Sequence, residues 1–454
     1  MSIQSVNPAT GEVLETFVPT APEALEAMVA RAHATFLEWR SVPFKVRANC
    51  MREVARLLRK DINAHALAMT LEMGKPIVQA EAEVEKCAGC CEFYAENAEA
   101  FLAEQPRQTD ASKSYVRFDP LGLVLAVMPW NFPYWQVFRF AAPALMAGNA
   151  GILKHASNVP RCALAIEKVF REAGFPEGLF ATALIDSASV AKLIADPRVV
   201  AATLTGSEHA GMAVAAQAGR ELKKTVLELG GSDPFMVLED ADLTTAVKVA
   251  ADARLINSGQ SCIAAKRFIV VEPVAERFLD LFAAELRSRR MGDPRARDTQ
   301  VGPQARTDLR DSLHEQVEES VKRGAKLLLG GEIPRGLGAF YPPTLLAGVD
   351  KGMPAFDEET FGPVAAVVRA EDENDVVRLA NDSVFGLGAS LWTQDHERAQ
   401  RLAMRIEAGS VFVNGLVKSD PRLPFGGIKR SGYGRELSEY GIREFVNIKS
   451  VWIA

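Results

Sequence analysis

The stretch "LGLVLAVMPWNFPYWQVFRFAAPALMAGNAGILKHA", Leu121 to Ala156, decides the fold class. "LGLVLAVMPW" is a continuous apolar run of strand length. "YWQVFRFAAPALMAG" has helical spacing and stops at Gly148-Asn149, and "AGILKHA" is again a strand. Short apolar strands alternating with helices mean a parallel sheet built from βαβ units. The alternation runs on through "NVPRCALAIEKVFREAG", "LFATAL", "SASVAKLIAD", "VVAATLTG", "SEHAGMAVAAQAG" and "KKTVLELGG".

Soon after Gly231 it restarts. "DLTTAVKVAADARLINSG" reads as a helix, "KRFIVVEP" as a strand and "VAERFLDLFAAELRSRR" as a helix. Later segments, from "EQVEESVKRGAKLLLGG" to "GSVFVNG", continue this second α/β unit. Upstream, residues 21–105 carry apolar residues at three-to-four spacing and read as helices. "DASKSYVRFDP" and the tail "EFVNIKSVWIA" are β-rich, and an unpaired apolar edge of that kind invites pairing.

The chain has 454 residues, too many for one ordinary core, so two or more domains are expected. It is 48% hydrophobic and 24% charged, with a net charge of −6. That balance argues against a nucleic-acid footprint, which shows as a basic patch. No apolar run reaches the roughly 18 residues of a membrane span. The start lacks a basic segment followed by an apolar one, so a secretory leader is not expected and the cytoplasm is. Six cysteines in such a chain read as reduced thiols. Cys87, Cys90 and Cys91 fall on one face of a helix and read as buried. The six histidines are scattered, so neither a metal nor a histidine-centred triad is expected.

A doubly wound sheet binds ligands at the carboxyl ends of its strands. Those ends read "MPWNFP", "KHASNVP", "TGSEHAG" and "LELGGSDP". Gly206 and Ser207 precede a helix whose N-terminus suits a phosphate. Lys154 and Ser157 stand where a strand passes into a helix. Ser157 is small and neutral where an NAD-selective site puts an acid, which leaves room for a 2′-phosphate. Without a ligand, Ser157 reads as an N-cap and Lys154 as a solvated charge. Glu228 ends an apolar strand, where poor solvation raises a carboxylate toward the range of a general base, a salt-bridged structural Glu being the plain alternative. Pro129 and Pro133 bracket Asn131 and stiffen it as an oxyanion donor must be. Trp135 and Arg139 share a helix face, and Arg139 is placed to grip a carboxylate unless it is a surface ion pair. Cys262, in "INSGQSCIAAKR", has no metal ligands beside it.

Together these segments resemble the aldehyde dehydrogenase superfamily over essentially the whole chain. The matching motifs are "VNPATGE", "MPWNFP", "LTGS", "VLELGGSDP", "GQSC", "EETFGPV", "VNG" and "PFGGIKRSGYGREL", in the family's order. "WQVFR", "LKHASNV", "AQAG", "LELGGSDPF" and "AAKRF" look most like its short bacterial succinate-semialdehyde branch. The resemblance implies Cys262 as nucleophile, Glu228 as general base, and Asn131 with the Cys262 N–H as oxyanion hole. It implies Trp130, Lys154, Ser157, Gly206, Ser207, Glu359 and Phe361 around an NADP cofactor, with NAD weaker. Trp135, Arg139 and Ser419 fall where substrate is held, and Glu436 where some members relay a proton.

It also implies a Rossmann-like cofactor domain (residues 1–108 and 121–231), a catalytic domain (232–430) and a small β oligomerisation arm (109–120 and 440–454). The expected partners are an aldehyde and further copies of the chain, as homodimer or homotetramer, with no nucleic acid and no membrane. A thiolate adds to the aldehyde, hydride leaves for the nicotinamide, and water opens the thioester with Glu228 as base. No His or Lys beside Cys262 is evident as its activator.

Two departures matter. Where some succinate-semialdehyde enzymes carry a second arginine, this chain has Ile256. Where some relatives carry a second cysteine, it has Ala264, so no local disulfide switch is available. Succinic semialdehyde leads as substrate, with glutarate semialdehyde or a general aliphatic aldehyde as alternatives. A non-catalytic binding protein on the same scaffold and a cofactor-independent thiol hydrolase are readings from other classes.

Overall fold

The computed structural model describes residues 2–454. The opening stretch forms a strand, Leu123–Met128, a helix, Trp135–Ala147, and a second strand, Ala150–His155. Every residue of that helix is buried. A helix apolar all round belongs inside a core, and this one lies against the sheet and the long helix Ile77–Phe101. It stops where Gly148 takes φ 98°, a left-handed turn that glycine adopts without strain.

The first sheet has six strands in the order Gly432–Tyr433, Lys224–Glu228, Val199–Thr205, Leu123–Met128, Ala150–His155 and Phe180–Thr182. Five run parallel, and Gly432–Tyr433 returns antiparallel with Gly432 opposite Glu228. The winding direction reverses between Leu123–Met128 and Val199–Thr205, and a ligand crevice opens beyond such a reversal.

The second sheet has seven strands in the order Lys326–Leu329, Thr344–Ala347, Val364–Ala370, Ala265–Val271, Asp233–Val237, Gly388–Trp392 and Ser410–Val413. Only the Lys326–Leu329 edge runs antiparallel. This is the expected α/β architecture with two wound sheets.

The helical opening resolves into Pro22–Trp39, Phe44–Lys60, Ile62–Met73 and Ile77–Phe101, with Cys87, Cys90 and Cys91 fully buried on the last. Ahead of them lies a hairpin, Ile3–Val6 with Val13–Phe17, that the helical periodicity does not announce. The two β-rich segments pair with each other: Lys113–Pro120 runs antiparallel to Val446–Ile453. Gln105–Pro106, assigned from sequence to the cofactor domain, joins the same sheet through Tyr115 and Val116. Residues 440–442 complete a short helix, Ser438–Ile442, so the tail strand begins only at Val446.

Candidate active site

The helix expected over "DLTTAVKVAADARLINSG" ends at Leu255. Asn257, Ser258 and Gly259 then take φ of 51°, 56° and 79°, so the chain turns left-handed three times before Cys262. Such backbone costs about 1–3 kcal/mol per non-glycine residue and persists only where the surroundings hold it. Here they do. The Asn257 N–H donates to Gln79 Oε1 at 2.7 Å and the Gly302 N–H to Ser258 Oγ at 2.8 Å. Arg254 Nη2 donates to the Gly259 carbonyl at 2.8 Å, and the Ala305 N–H to Gln260 Oε1 at 2.8 Å.

Beneath the turn lies Lys266, fully buried. Its Nζ donates to the carbonyls of Ser261, Cys262 and Ala264 at 2.9, 2.8 and 3.2 Å, and stands 3.5 Å from Glu359. A cation therefore does accompany Cys262, contrary to the reading from sequence. It hides in "AAKRF", which reads as plain strand. Gly231 packs on the same turn: a first side-chain carbon there would sit 2.5 Å from the Cys262 carbonyl oxygen.

Asn131 is buried, and its Nδ2 donates to the Gln260 carbonyl at 3.2 Å. Asn257 Nδ2 reaches back to the Asn131 carbonyl at 2.7 Å, which ties the proline-bracketed loop to the cysteine turn. The amide of Asn131 keeps a second N–H for an oxyanion. His155 closes the loop from behind, its Nε2 2.9 Å from the Pro133 carbonyl, and burial pushes this imidazole down to about 4. Glu83 supplies what the adjoining helix lacks at its start. Its Oε1 accepts from the N–H groups of Tyr134 and Trp135, both at 2.9 Å, and its other oxygen pairs with buried Lys75. Neither His155 nor Glu83 stands out in the sequence, because each acts from a different element.

Glu228 is 2% exposed, and neither carboxylate oxygen has a hydrogen-bond partner. Burial pushes it up to about 8; neighbouring Glu436 pushes the same way, and Arg139 pulls back. The salt-bridged alternative for Glu228 is thus not what the fold builds. Arg139 instead pairs with Glu436, deep inside, and its guanidinium carbon lies 4.5 Å from the centre of the Phe425 ring. It is not a surface ion pair either.

The Cys262 thiol is half-buried at the foot of a channel. Apolar walls push it up to about 12, while Arg139 and Lys266 draw it down. Two cavities make the channel. The inner one, about 60 Å³, is lined by Cys262, Ile263, Arg139, Ser419 and Phe425. The outer one, about 410 Å³, is lined by Gln79, Glu83, Leu255, Arg289 and Gln300. Lys86, Phe132, Trp135, Ile256 and Leu416 border both. At this junction Ser419 Oγ accepts from Trp135 Nε1 at 2.9 Å and from Lys86 Nζ at 2.7 Å. Nothing in the sequence singles out Lys86: "EVEKCAGCCEF" reads as one more helical stretch.

Of the expected cofactor residues, Trp130, Lys154, Ser157, Gly206 and Ser207 lie at or just beyond strand ends of the first sheet, and Glu359 and Phe361 lie in the loop before Val364–Ala370 of the second. Ser207 caps the helix Glu208–Arg220, accepting from the Ala210 N–H at 3.3 Å, and the Gly206 N–H donates to the Glu228 carbonyl at 2.9 Å. Lys154 is half-buried and burial lowers its pKa, so it is not the solvated charge of the plain reading. Ser157 is exposed and does not cap the helix Pro160–Glu172, whose N-cap is Val159. Trp130 meets Phe361 edge-on, ring centres 5.7 Å apart. Glu359 accepts from the Gly231 N–H at 3.0 Å.

Among the described residues no three His, Cys, Asp or Glu side chains gather as a metal site, and no helix is long and apolar enough to cross a membrane.

Known proteins resemble the chain in sequence and in fold. A probable succinate-semialdehyde dehydrogenase [NADP(+)] of Synechocystis sp. is 53% identical over the full length of both chains. Succinate-semialdehyde dehydrogenase [NADP(+)] 1 of Mycobacterium tuberculosis is 52% identical, again over the full length of both. The structure of succinic semialdehyde dehydrogenase from Streptococcus pyogenes in complex with NADP+ superposes with a TM-score of 0.97 at 40% identity, covering 99% of each chain. Lactaldehyde dehydrogenase superposes with the same TM-score at 31% identity, covering 100% of this chain and 96% of the other. The fold alone therefore does not select the aldehyde. The model of the aldehyde dehydrogenase family matches residues 1–451, and the chain belongs to that family.

Proposed function

We propose that the chain oxidises succinic semialdehyde to succinate with NADP+. The observation that carries this is the inner cavity, where the Cys262 thiol and the polar group of Arg139 and Ser419 line one small space. An aldehyde with a carboxylate at its far end fits that arrangement. The relatives at 52–53% identity are named for this activity.

Cys262 Sγ adds to the aldehyde carbon, and the alkoxide that forms is faced by the free N–H of Asn131 and by the Cys262 N–H. The cofactor supplies the acceptor for the hydride that must then leave. Glu228, unpaired and near neutral pKa, takes the proton of the water that opens the thioester. Glu436, already bound to Arg139, is a candidate second station for that proton.

The crevice suits a phosphorylated dinucleotide. The helix beginning after Ser207 offers its N-terminal N–H groups. Lys154 brings a cation, and exposed Ser157 puts no carboxylate against a 2′-phosphate. Trp130, Glu359 and Phe361 are assigned to the same cofactor.

Residues 1–108 with 121–231, less Gln105–Pro106, which join the arm's sheet, and residues 232–430 are read as the cofactor and catalytic parts. The sheet of Lys113–Pro120 and Val446–Ile453, with Ile448, Trp452 and Ile453 exposed on its outer strand, is assigned to pairing between copies, as a homodimer or homotetramer.

The test is cofactor reduction followed at 340 nm with succinic, glutaric and uncharged aldehydes, each against NADP+ and NAD+. Succinic semialdehyde with NADP+ is expected to give the highest kcat/KM, and Cys262→Ala to abolish it. An uncharged aldehyde turned over equally well would overturn the substrate.

A further inference from the structure

We propose that Lys86 is the specificity-determining contact for the carboxylate of the substrate, taking the place of the second arginine that Ile256 leaves vacant. This rests on reading the substrate as an ω-carboxylated aldehyde.

The charges along the channel carry the argument. Arg139 is committed to Glu436. Arg289 is committed twice, at 2.9 Å to Asp252 and at 2.7 Å to Glu285. Lys418 is exposed, where solvent screens it. Lys86 is different. It stands where the two cavities join, and its ammonium donates to the Ser419 hydroxyl at 2.7 Å. On its own helix Glu83 is taken by Lys75 and by the N–H groups of Tyr134 and Trp135, and Glu85 by Arg59.

The ammonium rests 4.1 Å from the centre of the Trp135 ring, which fixes it without neutralising it. A half-buried cation without a carboxylate is a ready site for one. Trp135 and Ile256 flank the path between Lys86 and Cys262 with apolar surface, which suits the short methylene link of a semialdehyde acid.

The position also predicts pH dependence. Burial, then the Arg139 charge, lower Lys86 to about 8. Its helix neighbours Cys87 and Cys90 are pushed up by burial, so they stay neutral there. A substrate carboxylate, with a pKa near 4.3, is ionised throughout. Any loss of carboxylate preference between pH 7 and 9.5 therefore comes from the protein.

The readout is kcat/KM for succinic semialdehyde divided by kcat/KM for butanal, in which the steps common to both aldehydes cancel. Lys86→Gln is expected to lower this ratio about ten- to a hundredfold, through KM for the charged aldehyde. Lys86→Arg is expected to keep it within about threefold. In the wild type the ratio should fall as pH rises through about 8, and in Lys86→Arg it should stay flat. An unchanged ratio in Lys86→Gln, or a flat wild-type profile, overturns the proposal. Should Lys86→Gln fail to fold, Lys86→Met takes its place, because Glu228 also titrates through about 8 and the comparison with a variant separates the two groups. A wild type indifferent to the carboxylate at pH 7 sinks the substrate class itself, a result distinct from either of these.

Discussion

Arg139 and Glu436 neutralise each other inside the protein, with side chains 2% and 5% exposed. The family resemblance gives them separate roles, one for substrate and one for a proton relay. Their pairing makes each a condition for the other. Removing one partner of a buried pair strands a charge and costs about 3–5 kcal/mol. Arg139→Leu should therefore lower the melting temperature sharply, and Arg139→Leu with Glu436→Gln should recover most of the loss. Thermal melts of the wild type, the two single variants and the double variant measure this. A double variant no more stable than Arg139→Leu would show that the pair is not the cause.

Glu228→Gln removes the group assigned to the water. The first turnover needs only the thiol, so a stoichiometric burst of reduced cofactor should survive while steady turnover falls about 100- to 10,000-fold. In the wild type the base form of Glu228 grows as pH rises through about 8, so kcat should climb across that range. That limb should be missing from Glu228→Gln. Stopped-flow absorbance across pH separates the two phases.

The same carboxylate should cost stability. Its pKa is about 8 folded against about 4.3 unfolded. Between those values the folded state holds a proton that the unfolded state has released, so its contribution falls as pH rises across the window. Glu228→Gln abolishes that slope. Its melting temperature should exceed the wild type's by about 1–3 °C at pH 8 and by less at pH 5. A gap that widens toward acid would contradict the burial argument.

The sequence offers Glu228 and Asn131 as candidates because a strand end is a position that an apolar run marks, and it offers Cys262 through the resemblance that "GQSC" carries. The supports it does not offer. Lys266 sits in a strand-like run, and nothing local says that three carbonyls fold back over it. Glu83 caps a helix about 50 residues away, a contact that only tertiary packing makes. The left-handed run at Asn257 and Ser258 falls inside a stretch that reads as helix, because the apolar spacing up to Leu255 and Ile256 does not mark where the backbone departs. Periodicity reports which face is buried, not how the chain turns between elements.

Ser157→Glu tests the cofactor. Ser157 is exposed and outside the helix cap, so the change should spare the fold. A new carboxylate beside a 2′-phosphate repels it and offers a ribose hydroxyl an acceptor. The ratio of kcat/KM for NADP+ to that for NAD+ should fall about ten- to a hundredfold, the effect of about 1.4–2.7 kcal/mol. An unmoved ratio would place the 2′-phosphate elsewhere.

Lys266→Met keeps most of the side-chain volume and removes the ammonium. Three carbonyls lose their shared donor, and the cation that helps draw down the Cys262 thiol is gone. Leaving buried acceptors unsatisfied costs about 1–3 kcal/mol per group, so the protein should melt lower. The thiol should also titrate higher, because nothing at that position then favours the thiolate. Alkylation by iodoacetamide reports this directly. Its rate follows the thiolate fraction, so the pH profile should move toward alkali in Lys266→Met and stay in place in Lys266→Arg. A merely structural lysine would lower stability and leave that profile unmoved, so the alkylation rates separate a brace from an activator.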